Sequence, residues 1–276
     1  MRILLAALPL ILIAAPLSAQ PRLPTASEDR NNLTFGLGVA VTPSYAGSND
    51  YQLNPGGIIR GKVADFNFSL QGPRLIVDAI RDDDRKIDVQ AGPVIGLNLN
   101  RVNRIQDAQV KALGDLDLAV EVGGYAGISW NGVLTSRFDR LSLSLSYQED
   151  VSGVHRSHIW RPQASYGAPL DRSSFVLLSV DATIVGSGFA RTYFGVTPDG
   201  AAASGLAAYD LDGGVQDVGL NLVGIRSLSG DVRRGWAAFA IGGYSRLLGD
   251  FADSPIVADA GSADQFFGAL GLAYTF

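Results

Sequence analysis

Apolar and polar side chains alternate along most of the chain. Leu141, Leu143, Leu145 and Tyr147 are interleaved with Ser142, Ser144, Ser146 and Gln148. Leu118, Val120, Val122, Ala126, Ile128 and Trp130 share one face, against Asp117, Glu121, Tyr125 and Ser129 on the other. Ile87, Val89, Ala91, Ile95, Leu97 and Leu99 oppose Asp88, Gln90, Asn98 and Asn100. Leu33, Phe35, Leu37, Val39 and Val41 oppose Thr34, Gly36, Gly38, Ala40 and Thr42, and Phe66, Phe68 and Leu70 oppose Asp65, Asn67, Ser69 and Gln71. Successive side chains of a strand point to opposite faces, so each segment predicts a strand with one apolar face and one polar or small face.

A soluble sandwich would alternate too. Several of these segments, however, run ten residues or more, long for a soluble strand and suited to a tilted membrane crossing. Their non-apolar faces carry Gly, Ser, Asn, Gln and Asp, and the chain has only three lysines, Lys62, Lys86 and Lys111. Aromatics stand near strand ends (Trp130, Tyr147, Trp160, Tyr166, Trp236 and Tyr274), where amphipathic rings meet the lipid–water boundary. The pattern predicts an all-β fold, a transmembrane antiparallel β-barrel.

Turn signals divide the chain into twelve strands, at 32–43, 53–61, 63–71, 74–80, 86–99, 116–130, 133–149, 157–168, 174–186, 217–228, 235–248 and 265–276. An even number suits a bacterial single-chain barrel. The stretch 72–85 has the weakest pattern; without a strand at 74–80 its neighbour is lost as well and ten remain. Asn131-Gly132, Asp171-Arg172-Ser173 and Gly230 to Arg234 read as short periplasmic turns, and 44–52, 100–115, 187–216 and 249–264 as the longer outer loops. In the last strand Phe266, Leu270, Leu272, Tyr274 and Phe276 share one face, and that strand, ending on an aromatic, resembles the signal read by the barrel assembly machinery.

Composition agrees with a chain built for lipid. It is 47% hydrophobic but only 18% charged, with 33 glycines and a net charge of −5. The absence of cysteine excludes disulfides, zinc-thiolate sites, cysteine nucleophiles and a lipoprotein anchor. A pI near 5.0 with no basic block argues against nucleic acid. Met1-Arg2, the apolar run Ile3 to Ala15 and Pro16-Leu17-Ser18-Ala19 predict a signal peptide over 1–19, too short to span a bilayer, leaving 20–276 as the barrel.

The loops carry a family likeness. Gly36-Leu37-Gly38-Val39 followed by Pro43-Ser44-Tyr45-Ala46-Gly47-Ser48-Asn49-Asp50-Tyr51 resembles the opening of the MipA/OmpV family, the MltA-interacting protein-like outer-membrane proteins. Leu113-Gly114-Asp115 before Glu121 and Gly123-Gly124-Tyr125 is similar to the family's middle segment. Tyr193-Phe194-Gly195-Val196, then Ser204-Gly205-Leu206, Tyr209 and Gly213-Gly214, is similar to its late loop. The resemblance covers essentially all of the mature chain. It implies a Gram-negative outer-membrane barrel without enzyme activity or cofactor, scaffolding a murein hydrolase or synthase complex, with outer-membrane lipid and the assembly machinery as further partners.

Three functional readings stand: the scaffold that the resemblance implies, a narrow passive channel for small solutes, and an outer-membrane lipid hydrolase. Asp88, Asp117, Glu121 and Asp181 are expected on inner faces, either as a cation-attracting lining or paired with arginines such as Arg161 in a filled lumen. The long segment carrying Tyr193, Phe194, Gly195, Ser204, Gly205 and Tyr209 either binds a partner or folds inward as a plug. A hydrolase would need His155 as base for Ser157, with Glu149 or Asp150 orienting the imidazole. The plainer reading of that stretch is a loop between two strands. His155 and His158, the only histidines, are a poor metal site.

Overall fold

Period-two alternation gives each strand two distinct faces, and the computed structural model curves them into a sheet with one face for lipid and one for the interior. It describes residues 32–63, 66–81 and 86–276; the expected signal segment lies outside the described residues. Among the described residues, the strands are β1 Asn32–Pro43, β2 Tyr51–Val63, β3 Phe66–Gln71, β4 Arg74–Asp78, β5 Ile87–Asn98, β6 Ala119–Asn131, β7 Arg140–Asp150, β8 His158–Pro169, β9 Ser174–Val185, β10 Gly214–Ser227, β11 Gly235–Leu247 and β12 Asp264–Thr275. All pair antiparallel with their sequence neighbours, and β12 returns to β1 to close a barrel. At this seam Phe35 faces Tyr274 and Leu37 faces Leu272. The uncertain fourth strand is present, so the count is twelve.

The outward positions form an apolar belt. Leu37 and Leu270 are 76% and 68% exposed, as lipid-facing side chains must be when the protein is taken alone. Aromatics close the belt at both ends. Trp236 packs on Tyr274, and Tyr274 on Phe276, with centroids 5.1 and 4.8 Å apart. At the opposite end Tyr244 meets Phe266 at 5.3 Å and Tyr147 meets Trp160 at 4.6 Å. Trp236 and Tyr244 stand eight residues apart on β11, roughly 26 Å along the strand at about 3.3 Å per residue. Two girdles across an apolar band of this height are those of an outer-membrane barrel.

Several expected boundaries move: the third and sixth strands start three residues late, at Phe66 and Ala119, and the fourth ends at Asp78. The strand expected over 133–149 starts only at Arg140, because Asp139 makes a turn of the preceding residues. Its buried carboxylate accepts backbone N–H bonds from Val133 at 2.6 Å, Leu134 at 2.9 Å and Ser136 at 3.2 Å, and another from Thr135. The Tyr166 hydroxyl adds a fifth at 2.7 Å. The tenth strand begins at Gly214, ahead of position 217, with a bulge between Val215 and Asp217.

The wall is uneven in height. β3 and β4 have six and five residues, and the hairpin turns at Gly72-Pro73. β2 therefore pairs with β3 only from Ile58 to Val63. Among the described residues, Tyr51 to Gly57 have no strand beyond them. The β5–β6 connection leans on this edge, Gln106 Nε2 donating to the Tyr51 carbonyl at 3.3 Å and Arg104 Nη1 to Asn54 Oδ1 at 3.3 Å.

Candidate functional site

The interior has a polar wall, an apolar wall and a lid. The polar wall is built by β5 to β9, whose inward positions are the Ser, Gln, Asp and Glu of the alternating pattern. Asp88 pairs with Arg140 and accepts from Gln90 Nε2 at 2.9 Å. Glu121 accepts from Asn98 Nδ2 at 3.0 Å, and Asp181 from Asn221 Nδ2 at 2.9 Å. Arg161 donates to Gln148 Oε1 at 3.0 Å, and Arg74 to Ser146 Oγ at 3.3 Å. Three of the four expected lumen charges thus point inward and are bonded there. Asp117 does not: it lies exposed ahead of β6, which begins at Ala119. Leu118-Asp117 continues the alternation in sequence, but the chain has already left the sheet.

The lid is made by the longer connections, which fill the outer mouth. The segment between β9 and β10, read as a loop, contains α2 Ser187–Phe194 and α3 Pro198–Ser204. The β5–β6 connection carries α1 Ala108–Ala112, and the β11–β12 connection carries α4 Asp250–Asp253 and α5 Pro255–Ala258. Tyr193 and Phe194 are fully buried with Phe189, Leu211, Phe251 and Val257. A second cluster joins Tyr45, Ile105, Val110, Val196, Leu206 and Ile256 from four connections. Polar ties hold the pieces together: Ser254 Oγ donates to the Phe194 carbonyl at 2.6 Å, and Tyr209 Oη to the Asp250 carbonyl at 2.9 Å.

Motif residues of the late loop from Tyr193 to Tyr209 have places in this lid. Gly195 approaches the Arg191 carbonyl so closely that a Cβ would lie 2.5 Å from it. Ser204 Oγ donates to the Gly200 carbonyl at 2.7 Å, and Gly205 ends α3 with φ of 77°. The signals of α3 were in the sequence: Thr197 accepts from the Gly200 N–H, Pro198 follows it, and a glycine closes the helix. Tyr45 is lid core as well, its hydroxyl donating to the Ala260 carbonyl at 3.0 Å. Burial, helped by Asp107, pushes that phenol up to about 12. Burial also raises the Tyr193 phenol, with Glu121 contributing.

His155 and Ser157 sit in the β7–β8 connection under the lid, both buried. The His155 ring contacts Phe189 and Tyr193, centroids 5.1 and 5.8 Å away, and its Nε2 lies 3.6 Å from Glu121. The carboxylates expected to orient it are engaged elsewhere. Asp150 accepts the N–H groups of Ser152, Gly153, His155 and Arg156, and Glu149 accepts the Tyr147 hydroxyl on the outer face.

The apolar wall escaped the sequence reading. Around the cavity, inward positions of β10 to β12 hold Val223, Ile225, Phe239, Ile241, Phe267 and Ala269, so this part of each strand is apolar on both faces. Arg60 of β2 faces the same space. The signal was the break in alternation at Ile58-Ile59-Arg60.

The family model of the MltA-interacting protein MipA matches residues 35–276. No curated protein matches the chain. Among solved structures, an outer-membrane channel from Pseudomonas putida F1 is 13% identical, aligned over 96% of this chain and 100% of that one, with a TM-score of 0.47. The Pseudomonas putida toluene transporter TodX is 9% identical over 90% of this chain and 89% of that one, at 0.39. The CymD monoaromatic hydrocarbon channel is 9% identical over 90% of each, at 0.40.

Proposed function

The chain belongs to the family of the MltA-interacting protein MipA, and from that premise we propose that this outer-membrane barrel is a closed, non-enzymatic scaffold. Its periplasmic rim holds a partner from the peptidoglycan-processing machinery, a murein hydrolase or synthase complex. The observation that carries this reading is the packed lid: with the outer mouth filled by Phe189, Tyr193, Phe194 and Phe251, the periplasmic rim is the accessible end. The alternative of a narrow solute channel draws on the inward carboxylates, and Asp88, Glu121 and Asp181 are already bonded to neighbours.

The partner surface suggested by the geometry is the 132–139 turn. Asp139 gathers its backbone, and Leu134 and Phe138 project from it, 72% and 62% exposed. A rigid turn presenting two large apolar side chains loses little entropy when a partner covers it. A photoreactive residue at Leu134 or Phe138, activated in cells, is expected to capture an envelope protein, whereas one at exposed Asp199 in the lid is not. Capture from Asp199 alone, or from none of the three, would remove this reading.

The latch makes its own prediction. Burial opposes ionisation of Asp139, but the bonds from Thr135, Tyr166, Val133 and Leu134 outweigh it and hold the carboxyl well below the usual range. A depressed folded-state pKa gives stabilisation that is complete above the unfolded value near 3.9 and lost as pH falls through the folded value. The turn should therefore stay closed through mildly acidic pH. Asp139→Ala is expected to speed hydrogen exchange at Val133, Leu134 and Thr135 by about tenfold or more, since bonds to a charged acceptor are lost. Unchanged exchange at those amides would show that the carboxylate does not hold the turn.

A further inference from the structure

A cavity of about 120 Å³ lies in the lumen beneath the lid. Val223, Ile225, Phe239, Ile241, Phe267 and Ala269 form its apolar side. Gly56, Gly57 and Gly72, which offer only backbone, line it towards the short hairpin. Its polar lining is sparse. The Thr34 and Thr275 hydroxyls satisfy each other at 2.8 Å. Arg60 is different: it lines the cavity, and no hydrogen bond or ion pair joins it to any described residue. The lumen carboxylates Asp88, Glu121 and Asp181 are bonded on the opposite wall.

An unmatched guanidinium beside an apolar surface is costly unless an anion or water meets it. A carboxylate matches its fork in bidentate fashion. An apolar cavity of about 150 Å³ is large enough to hold benzene. We infer that this cavity binds a small amphiphilic carboxylate, its apolar body against Val223, Ile241 and Phe267 and its charged end on Arg60. The body is about one aromatic ring or a short alkyl chain. The lid closes the outer end, so the ligand enters from the periplasmic side. This site is independent of the scaffold reading, since no partner protein is needed to fill it.

The test uses 4-fluorobenzoate at neutral pH, followed by fluorine NMR with the barrel in lipid nanodiscs and empty nanodiscs as the blank. Saturable binding at millimolar probe is expected for the native chain. Arg60→Gln should weaken it about tenfold or more, through loss of a charge-assisted pair, and Arg60→Lys should fall between. Acetate, lacking the apolar body, should fail to displace the probe, and Ala269→Phe should abolish binding by occupying the space. Heat-shifted gel mobility establishes that each variant is folded; if Ala269→Phe is not, the Arg60 variants and the acetate comparison decide. Displacement by octanoate in preference to benzoate supports a fatty-acid ligand, and the reverse a free aromatic acid. Absence of saturable binding in folded native protein, equal binding by Arg60→Gln, or acetate competing as well as benzoate would each overturn the site.

Discussion

Phe276→Ser should reduce the amount of closed barrel while leaving export intact. Phe276 is part of the seam. Its N–H donates to the Leu33 carbonyl at 2.9 Å, and its ring lies 6.1 Å from Phe35 and 4.8 Å from Tyr274. Serine keeps the backbone bond and loses both ring contacts. Two aromatic pairs are worth about 1–3 kcal/mol together, enough to shift the balance between closed and open seam by a factor of roughly five to a hundred and fifty. The neighbours Tyr274, Leu272, Leu270 and Phe266 continue the same outward face, so single changes there should act in the same direction and more weakly. The measurement is gel mobility before and after boiling, because a closed barrel resists detergent. Wild-type levels of heat-shifting protein in the mutant would show that the seam does not depend on this ring and would remove Phe276 as an assembly signal.

The second large effect concerns the lid. Native protein in a planar bilayer should give no steady current. Removing 188–212 and joining Ser187 to Gly213 through a short Gly-Ser link should produce steady openings. The link is feasible because Val185 and Gly214 already pair across β9 and β10. The deletion takes out Phe189, Tyr193, Phe194 and Leu211, leaving Phe251 and Val257 without cover. A milder form is Phe194→Ala, which costs the lid about 3–5 kcal/mol by truncating a buried ring and should give intermittent openings. Arg74 and Arg161 still project from the polar wall in the deletion, bonded to Ser146 and Gln148, so its conductance should remain small. Stable cation-selective openings from the native chain would instead promote the channel reading, and neutralising Asp88, Glu121 and Asp181 would be the next step.

The barrel was legible in the sequence because period two is a local signal, repeated strand after strand and reinforced by aromatics at the ends. The segment expected at 74–80 is a strand too, shorter at Arg74–Asp78 and paired with β3 across a turn at Gly72-Pro73. The lid was legible only as a long, partly apolar segment. Its helices have four to eight residues, too short for helical periodicity to emerge, and their apolar side chains find partners in other loops far away in sequence. Tyr45 illustrates this: it stands in a turn rich in Gly, Ser, Asn and Asp, yet its hydroxyl bonds the carbonyl of Ala260. Asp139 was hidden for a related reason. A carboxylate that collects N–H groups from the residues before it leaves their sequence looking like strand. Arg60 and most of the apolar wall were missed because apolar residues on the inner face, such as Val223, Ile225 and Ile241, blur the alternation there, and Ile58-Ile59 blur it beside Arg60.

The low stretch of wall at β3 and β4 has a mechanical consequence for the membrane. Six residues extend about 20 Å even before tilt, well short of a hydrocarbon core near 30 Å. Lipid beside this hairpin must shorten to meet it, at a cost of a fraction of a kcal/mol for each ångström of mismatch. The full-height strands β8 to β12 impose no such demand. The barrel therefore sits in an asymmetric dimple, thinned along one flank, and leans so that β3 and β4 gain depth. Short or disordered acyl chains will gather on that flank, giving a symmetric-looking cylinder a preferred orientation towards its lipid neighbours.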